Sequence, residues 1–167
     1  MEIERKLLLN YLPENLDGYE HFLIEQGYIS TTPVIRIRKK ITATKAVYIL
    51  TAKSSGLLKR QEFELELTED EYNSLSKKVC GNIITKTRYL IPLEASLTLE
   101  LDCFSGAFEG LIMGEIEFNS EEQAKSYVPG DMFGAEVTYD TRFHNSTMSS
   151  MSKSEISDFI TSLHPAG

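Results

Sequence analysis

Apolar and polar residues alternate with a period of two along most of the chain. The alternation predicts strands over residues 2–9, 34–41, 46–53, 60–67, 83–91, 97–104 and 111–118, with Glu136-Val137-Thr138-Tyr139 a fainter eighth. Between these runs the pattern changes. Residues 14–26 predict a helix closed by Gly27 as a left-handed cap, and Thr68-Glu69-Asp70-Glu71 and Ser120-Glu121-Glu122-Gln123 have the form of capping boxes that open short amphipathic helices. Ser152-Lys153-Ser154-Glu155 opens a last helix over about 152–163, with Ile156, Phe159, Ile160 and Leu163 on one face. Lys53-Ser54-Ser55-Gly56-Leu57 supplies the small residues and the glycine of a hairpin turn. Neither a repeat nor a linker divides the chain, so the expectation is one α+β, mainly β, domain over residues 1–167.

Residues i and i+2 of a strand point to the same side, so each strand splits into two faces. One face carries Glu2, Glu4 and Lys6; Arg36 and Arg38; Lys53; Arg60, Glu62, Glu64 and Glu66; Lys86 and Arg88; Glu100 and Asp102; Glu115 and Glu117. The other carries Ile3, Leu7, Ile35, Ile37, Phe63, Leu65, Leu99, Leu101, Ile112 and Ile116. A solvated face mixes Thr, Ser, Lys and Glu, whereas most of these strands present blocks of one sign. Like charges at i and i+2 lie about 7 Å apart. They repel by roughly 0.6 kcal/mol in water and about 2.4 kcal/mol at an effective dielectric near 20. Repetition of that penalty on several strands calls for a compensating ligand.

Carboxylate pairs without His or Cys suit a hard cation such as Mg²⁺ or Mn²⁺. Guanidinium forks and lysine ammoniums suit a polyanion, which makes Arg36, Arg38, Lys53, Lys86 and Arg88 candidates for holding a chain of phosphates. For the rows to converge on one small ligand, the sheet must curl into a barrel with a charged interior, its apolar faces covered by helices outside.

Composition narrows the choices further. Lysine and arginine number 17 against 25 acidic residues, a net charge of −8, which disfavours a general nucleic-acid binder while allowing a local basic pocket. Cys80 and Cys103, with only His21, His144 and His164, make neither a disulfide framework nor a zinc site, and a reducing, cytoplasmic setting is the default. No stretch near the first residues reads as a signal peptide or membrane span. No GxxxxGK[ST] string is present, so the Gly56 turn is not a P-loop.

Glu2-Ile3-Glu4-Arg5-Lys6 is an ExExK signature. Together with Gln26-Gly27-Tyr28-Ile29, Arg36/Arg38, Thr51-Ala52-Lys53-Ser54, Lys59-Arg60-Gln61-Glu62-Phe63-Glu64, Lys86-Thr87-Arg88-Tyr89, Leu99-Glu100-Leu101-Asp102, Gly114-Glu115-Ile116-Glu117-Phe118 and Glu136-Val137-Thr138 with Asp140, Arg142 and Asn145, it makes nearly the whole chain resemble the CYTH superfamily, the triphosphate tunnel metalloenzymes. The likeness is greatest to short, single-domain bacterial members. The resemblance implies an eight-stranded antiparallel β-tunnel that binds triphosphates with divalent metal.

By position it implies Glu2, Glu4, Glu115 and Glu117 as metal ligands, and Lys6, Arg36, Arg38, Lys53, Lys86 and Arg88 as phosphate contacts. Glu62, Glu64, Glu100 and Asp102 extend the candidate ligand set, and Arg60 and Arg142 extend the phosphate contacts. Where the family often shows Asp-Lys-Arg-Tyr, this chain reads Asp140-Thr141-Arg142-Phe143, one basic group short. The Ser-rich residues 146–157 and the helix after them are candidates for a plug in one mouth of the tunnel.

The activity implied is metal-assisted hydrolysis of tripolyphosphate to diphosphate and phosphate, with two Mg²⁺ or Mn²⁺ ions and with Glu4, Lys6, Glu115 and Glu117 nearest the chemistry. Lys6 has two readings, a phosphate contact or a clamp on the carboxylates. The alternatives are a class IV adenylyl cyclase, a thiamine triphosphatase and a non-catalytic polyphosphate or nucleotide sensor. A small polyanion is the expected partner, with no nucleic acid or membrane. Tyr28, Tyr48 and Tyr89 read as core or rim aromatics, Cys103 as a small buried residue, and His144 as part of a surface loop, with a phosphate contact beside Arg142 as the alternative.

Overall fold

The computed structural model describes residues 1–164. Its strands are β1 (Glu2–Leu9), β2 (Glu20–Thr31), β3 (Val34–Ile41), β4 (Ala46–Lys53), β5 (Lys59–Arg60), β6 (Glu62–Leu67), β7 (Cys80–Pro92), β8 (Thr98–Ser105), β9 (Ile112–Glu117) and β10 (Phe133–Glu136). They form one antiparallel sheet in the order β10-β1-β9-β8-β7-β2-β3-β4-β6. The two-residue β5 pairs with the start of β1, Glu2 opposite Arg60 and Ile3 opposite Lys59, across the seam between the ends of that path. The sheet is therefore a nearly closed barrel. Among the described residues four helices accompany it: α1 (Glu69–Ser76), α2 (Glu121–Ser126), α3 (Asn145–Ser149) and α4 (Lys153–Leu163).

Ten strands replace the eight expected, for identifiable reasons. Residues 60–67 divide at Gln61, whose backbone N–H and C=O both bond to Ser54, freeing β5 to reach β1. The last strand covers 133–136 instead of 136–139, because a turn closed by Asp140 N–H on the Val137 carbonyl begins immediately afterwards. The larger correction concerns residues 14–26. They form a single 3-10 turn, Leu16–Gly18, followed by β2, one of the two longest strands. Phe22, Ile24, Gln26 and Tyr28 are all buried at a spacing of two, and β2 is paired along both edges, with β3 and β7. Two complete ladders outweigh the local helix preference. Gly27 lies inside this strand and is not in the left-handed region; a Cβ there would meet Val79 Cγ1 at 2.7 Å, so close packing is its requirement.

The helix starts follow their caps. Thr68 with Glu71 and Ser152 with Glu155 form complete capping boxes. Ser120 accepts from Gln123 N–H, while the Gln123 side chain accepts from Asn119 N–H, one residue short of the reciprocal bond.

In β1, Ile3 and Leu7 are buried, and so are Glu4 and Lys6 on the opposite face. One face is covered by core and the other encloses charge. Outside the barrel, Ile3, Leu7, Leu99, Leu101 and Ile116 pack with Phe118 and with Ala124 of α2, while Ile37 and Leu67 pack with Tyr72 of α1. Phe63 and Leu65, expected in this apolar layer, are 61% and 49% exposed, since α1 covers the sheet only as far as Leu67.

The inner rows change character toward one end. Tyr28, Val34, Ile84, Phe104 and Met113 each stand two residues from Gln26, Arg36, Lys86, Asp102 and Glu115, hence on the same face. These apolar residues cluster with Val137, Phe143, Met148, Ile156 and Phe159 of the C-terminal segment. No helix among the described residues is long and apolar enough to cross a membrane.

Candidate active site

Alternation on curled strands brings the charged rows together around one space, in two compartments of about 400 and 800 Å³. Both are lined by Glu4, Arg36, Arg38, Lys53 and Glu115. The smaller adds Lys6, Arg60, Lys86, Tyr28, His144, Asn145 and Ser146; the larger adds Glu2, Glu62, Glu64, Glu100, Glu117, Arg88, Lys40 and Phe22. Positive charge thus collects toward the C-terminal segment and negative charge toward the other side.

Most of the cations are paired. Lys6 Nζ donates to Glu4 at 2.8 Å and to Glu115 at 3.1 Å. Lys53 Nζ donates to Glu2 at 3.0 Å and lies 3.4 Å from Glu62, and Arg60 bridges Glu2 at 3.1 Å and Glu4 at 3.5 Å. Lys86 Nζ donates to Asp102 at 2.6 Å and to Asn145 at 3.0 Å. Arg88 holds Asp102 through two bonds of 2.7 and 2.8 Å, and also reaches Glu100 and, at 3.4 Å, Glu115.

Arg36 and Arg38 differ. Among the described residues neither contacts a carboxylate: Arg38 Nε donates to Gln26 at 2.8 Å and Arg36 Nη2 to Thr51 at 3.0 Å. Arg36 Nε is buried with no hydrogen-bond partner. Enclosure, reinforced by Arg36 and Arg88, pulls the Arg38 guanidinium down to about 9, still cationic at neutral pH. Burial also lowers Lys53, with Arg36 adding to it, and brings Lys86 down to about 7 despite Asp102.

The carboxylates divide. Burial pushes Glu115 upward, but Lys6 and then Arg88 overcome it and hold that carboxyl well below its usual range. Burial raises Glu100 and Glu117; for Glu117, Glu2 and Glu100 raise it further. Such a set of oxygen donors suits a hard divalent cation. Among the described residues no three His, Cys, Asp or Glu side chains meet closely enough to form a ligand cluster as they stand, since Glu2, Glu4 and Glu115 face lysine and arginine.

Two expected site residues lie elsewhere. Asp102 is 0% exposed and lines neither compartment, because Lys86 and Arg88 bind both of its oxygens behind the cavity wall. Arg142 points outward: Asp140 accepts from its backbone and its guanidinium, and the side chain is 59% exposed beside a groove containing Glu155 and Asp158. The cavity holds instead His144, expected on the surface, and Asn145, together with Tyr28. Burial, helped by Lys6 and Arg60, depresses the His144 imidazole below its ordinary value. Gln26 was hidden by the helix reading of its segment, although its place at the same spacing as Phe22, Ile24 and Tyr28 was a usable signal.

No family model matches the chain. Among curated proteins it is 37% identical over 148 residues to an inorganic triphosphatase of Nitrosomonas europaea, covering 88% of this chain and 95% of that one. It is 32% identical to an inorganic triphosphatase of Acetivibrio thermocellus, covering 88% and 92%. The crystal structure of the inorganic triphosphatase NE1496 superposes with a TM-score of 0.66 at 32% identity, over 91% of this chain and 96% of the other. The Hippeastrum protein HpAC1 shares the fold, with a TM-score of 0.52 at 18% identity over 75% and 83% of the two chains.

Proposed function

The chain belongs to the inorganic triphosphatases of the CYTH superfamily, and we propose that its cavity binds inorganic tripolyphosphate and hydrolyses it, water plus tripolyphosphate giving diphosphate and phosphate. The observation that carries this reading is the pair Arg36 and Arg38. Two enclosed guanidiniums have no carboxylate partner among the described residues, and one has an orphaned Nε. An unsatisfied buried donor costs about 1–3 kcal/mol; phosphate oxygens satisfy it, and the fork geometry suits them bidentately.

Lys53, Lys86, Arg60 and Arg88 add positive charge from the other walls. These groups bind and orient the phosphate chain and favour the charge that develops on the leaving oxygen. Lys6, bonded to Glu4 and Glu115, fits the clamp reading better than that of a phosphate contact. Glu2, Glu4, Glu115 and Glu117 would hold Mg²⁺ or Mn²⁺, two ions in our reading, with Glu62, Glu64 and Glu100 beside them. When bound, such ions neutralise phosphate oxygens and lower the pKa of a bound water. The apolar C-terminal cluster packs beyond the basic end of the cavity.

The test is phosphate release from tripolyphosphate, ATP and thiamine triphosphate with Mg²⁺, Mn²⁺ or chelator. Turnover of tripolyphosphate that stops on chelation is expected. Cyclic AMP from ATP would favour the cyclase instead, and tight binding without turnover the sensor.

A further inference from the structure

Arg38 and Arg36 stand two apart on β3, and each is paired across the ladder with a neutral polar residue: Gln26 of β2 opposite Arg38, and Thr51 of β4 opposite Arg36. Both neutral residues are 0% exposed. An amide or hydroxyl sealed from water persists only with its bonds made. Gln26 accepts from Arg38 Nε at 2.8 Å and donates through Nε2 to Asn145 Oδ1 at 2.8 Å. A guanidinium has only donors, so the amide oxygen must be the atom that faces it. Thr51 Oγ1 accepts from Arg36 Nη2 at 3.0 Å.

The contrast with the other cations is informative. Lys6, Lys53, Arg60, Lys86 and Arg88 are each held by at least one carboxylate. Of the cavity cations fixed by hydrogen bonds, only the adjacent pair on β3 is held by neutral groups alone among the described residues; Lys40, further along the same strand, lies over the Phe22 ring at 4.0 Å. A carboxylate at position 26 or 51 would grip the guanidinium at least as firmly, and would cancel most of its field in the cavity.

We propose that Gln26 and Thr51 are positioning residues that fix Arg38 and Arg36 without neutralising them, keeping two aimed positive charges for the substrate's phosphates. The inference rests on the triphosphate reading above. Each holder takes only part of the guanidinium, leaving terminal nitrogens toward the cavity. Asn145 extends the arrangement: it accepts from both Gln26 and Lys86, so the aim of Arg38 is tied to the seat of α3.

The experiment compares Gln26→Glu, Gln26→Met and Thr51→Val with the parent in tripolyphosphate hydrolysis and thermal unfolding. Gln26→Glu keeps an acceptor for Arg38 but adds a negative charge. Its KM should rise roughly tenfold or more, with kcat changed far less; because it gives up the bond to Asn145 Oδ1, its unfolding midpoint should lie somewhat below the parental value. Gln26→Met, which loses both bonds without adding charge, should have the lower midpoint and the smaller rise in KM. Thr51→Val should raise KM several-fold at nearly parental kcat, and Thr51→Ser should restore it. A purely structural role predicts the reverse order in KM, with Gln26→Met impaired more than Gln26→Glu. Parental KM in both Gln26→Glu and Thr51→Val overturns the proposal. If Gln26→Glu does not fold, Thr51→Val against Thr51→Ser decides. A parent that does not turn over tripolyphosphate overturns the triphosphate reading and this inference together, whereas an active parent with unaffected variants overturns this inference alone.

Discussion

Lys6 and Glu115 face each other across the ladder between β1 and β9, and the ammonium donates to the carboxylate at 3.1 Å while also holding Glu4 at 2.8 Å. All three side chains are buried or at the limit of burial. Removing the cation leaves two enclosed carboxylates with only the longer contacts of Arg60 to Glu4 at 3.5 Å and Arg88 to Glu115 at 3.4 Å, and breaking a buried pair in this way costs up to about 3–5 kcal/mol. Lys6→Met should therefore lower the unfolding midpoint markedly in chelator. Added Mg²⁺ should restore more of it than Mg²⁺ adds to the parent. Thermal scans of both proteins, with and without the ion, provide the check.

Arg36 should behave in the opposite sense. With Thr51 as its hydrogen-bond partner and an orphaned Nε, it adds little to folding, so Arg36→Met should match or exceed the parent in thermal stability. A charge-assisted phosphate contact is worth about 1.5–3 kcal/mol, so KM for tripolyphosphate should rise roughly 10- to 100-fold. Steady-state kinetics beside a thermal scan would show it; loss of stability with unchanged KM would count against the assignment.

Arg142 is tied to Asp140 on the exterior. Arg142→Ala should leave KM and kcat for tripolyphosphate at parental values, and a tenfold rise in KM would return this residue to the binding site.

His144 gives a pH signature. Burial, then Lys6 and Arg60, holds its folded-state pKa below the ordinary 6.5. The unfolded chain takes up the proton first, so the contribution to stability is present above pH 6.5 and is lost as pH falls from there through the folded value. The unfolding midpoint of the parent should fall more steeply between pH 7.5 and 5.5 than that of His144→Gln, by at most about 1.4 kcal/mol per pH unit. Tripolyphosphate should reduce the difference by supplying negative charge beside the imidazole. Equal slopes without ligand would refute the assignment.

The charge rows were readable because a strand's alternation is a local property: Glu2/Glu4, Arg36/Arg38, Lys86/Arg88 and Glu115/Glu117 each announced a face before any partner was known. Pairing was not readable. Asp102 has the same parity as Glu100, and only the approach of Lys86 and Arg88 from β7 removes it from the cavity. Residues 14–26 contain enough i, i+3 and i+4 apolar spacing to suggest a helix, and the ladders with β3 and β7 that decide otherwise involve residues far along the chain. The arrival of His144 and Asn145 depends likewise on the apolar C-terminal packing, to which Phe143 and Met148 contribute from either side of them.

Phosphate release from tripolyphosphate by the parent, Glu4→Ala and Glu115→Ala, each shown to be folded by circular dichroism, addresses the facing charge rows themselves. The parent should turn over with Mg²⁺ or Mn²⁺ and stop in chelator, and both variants should lose metal-dependent turnover. Parental rates in both variants would contradict the placement of the reaction between these carboxylates and the arginines opposite.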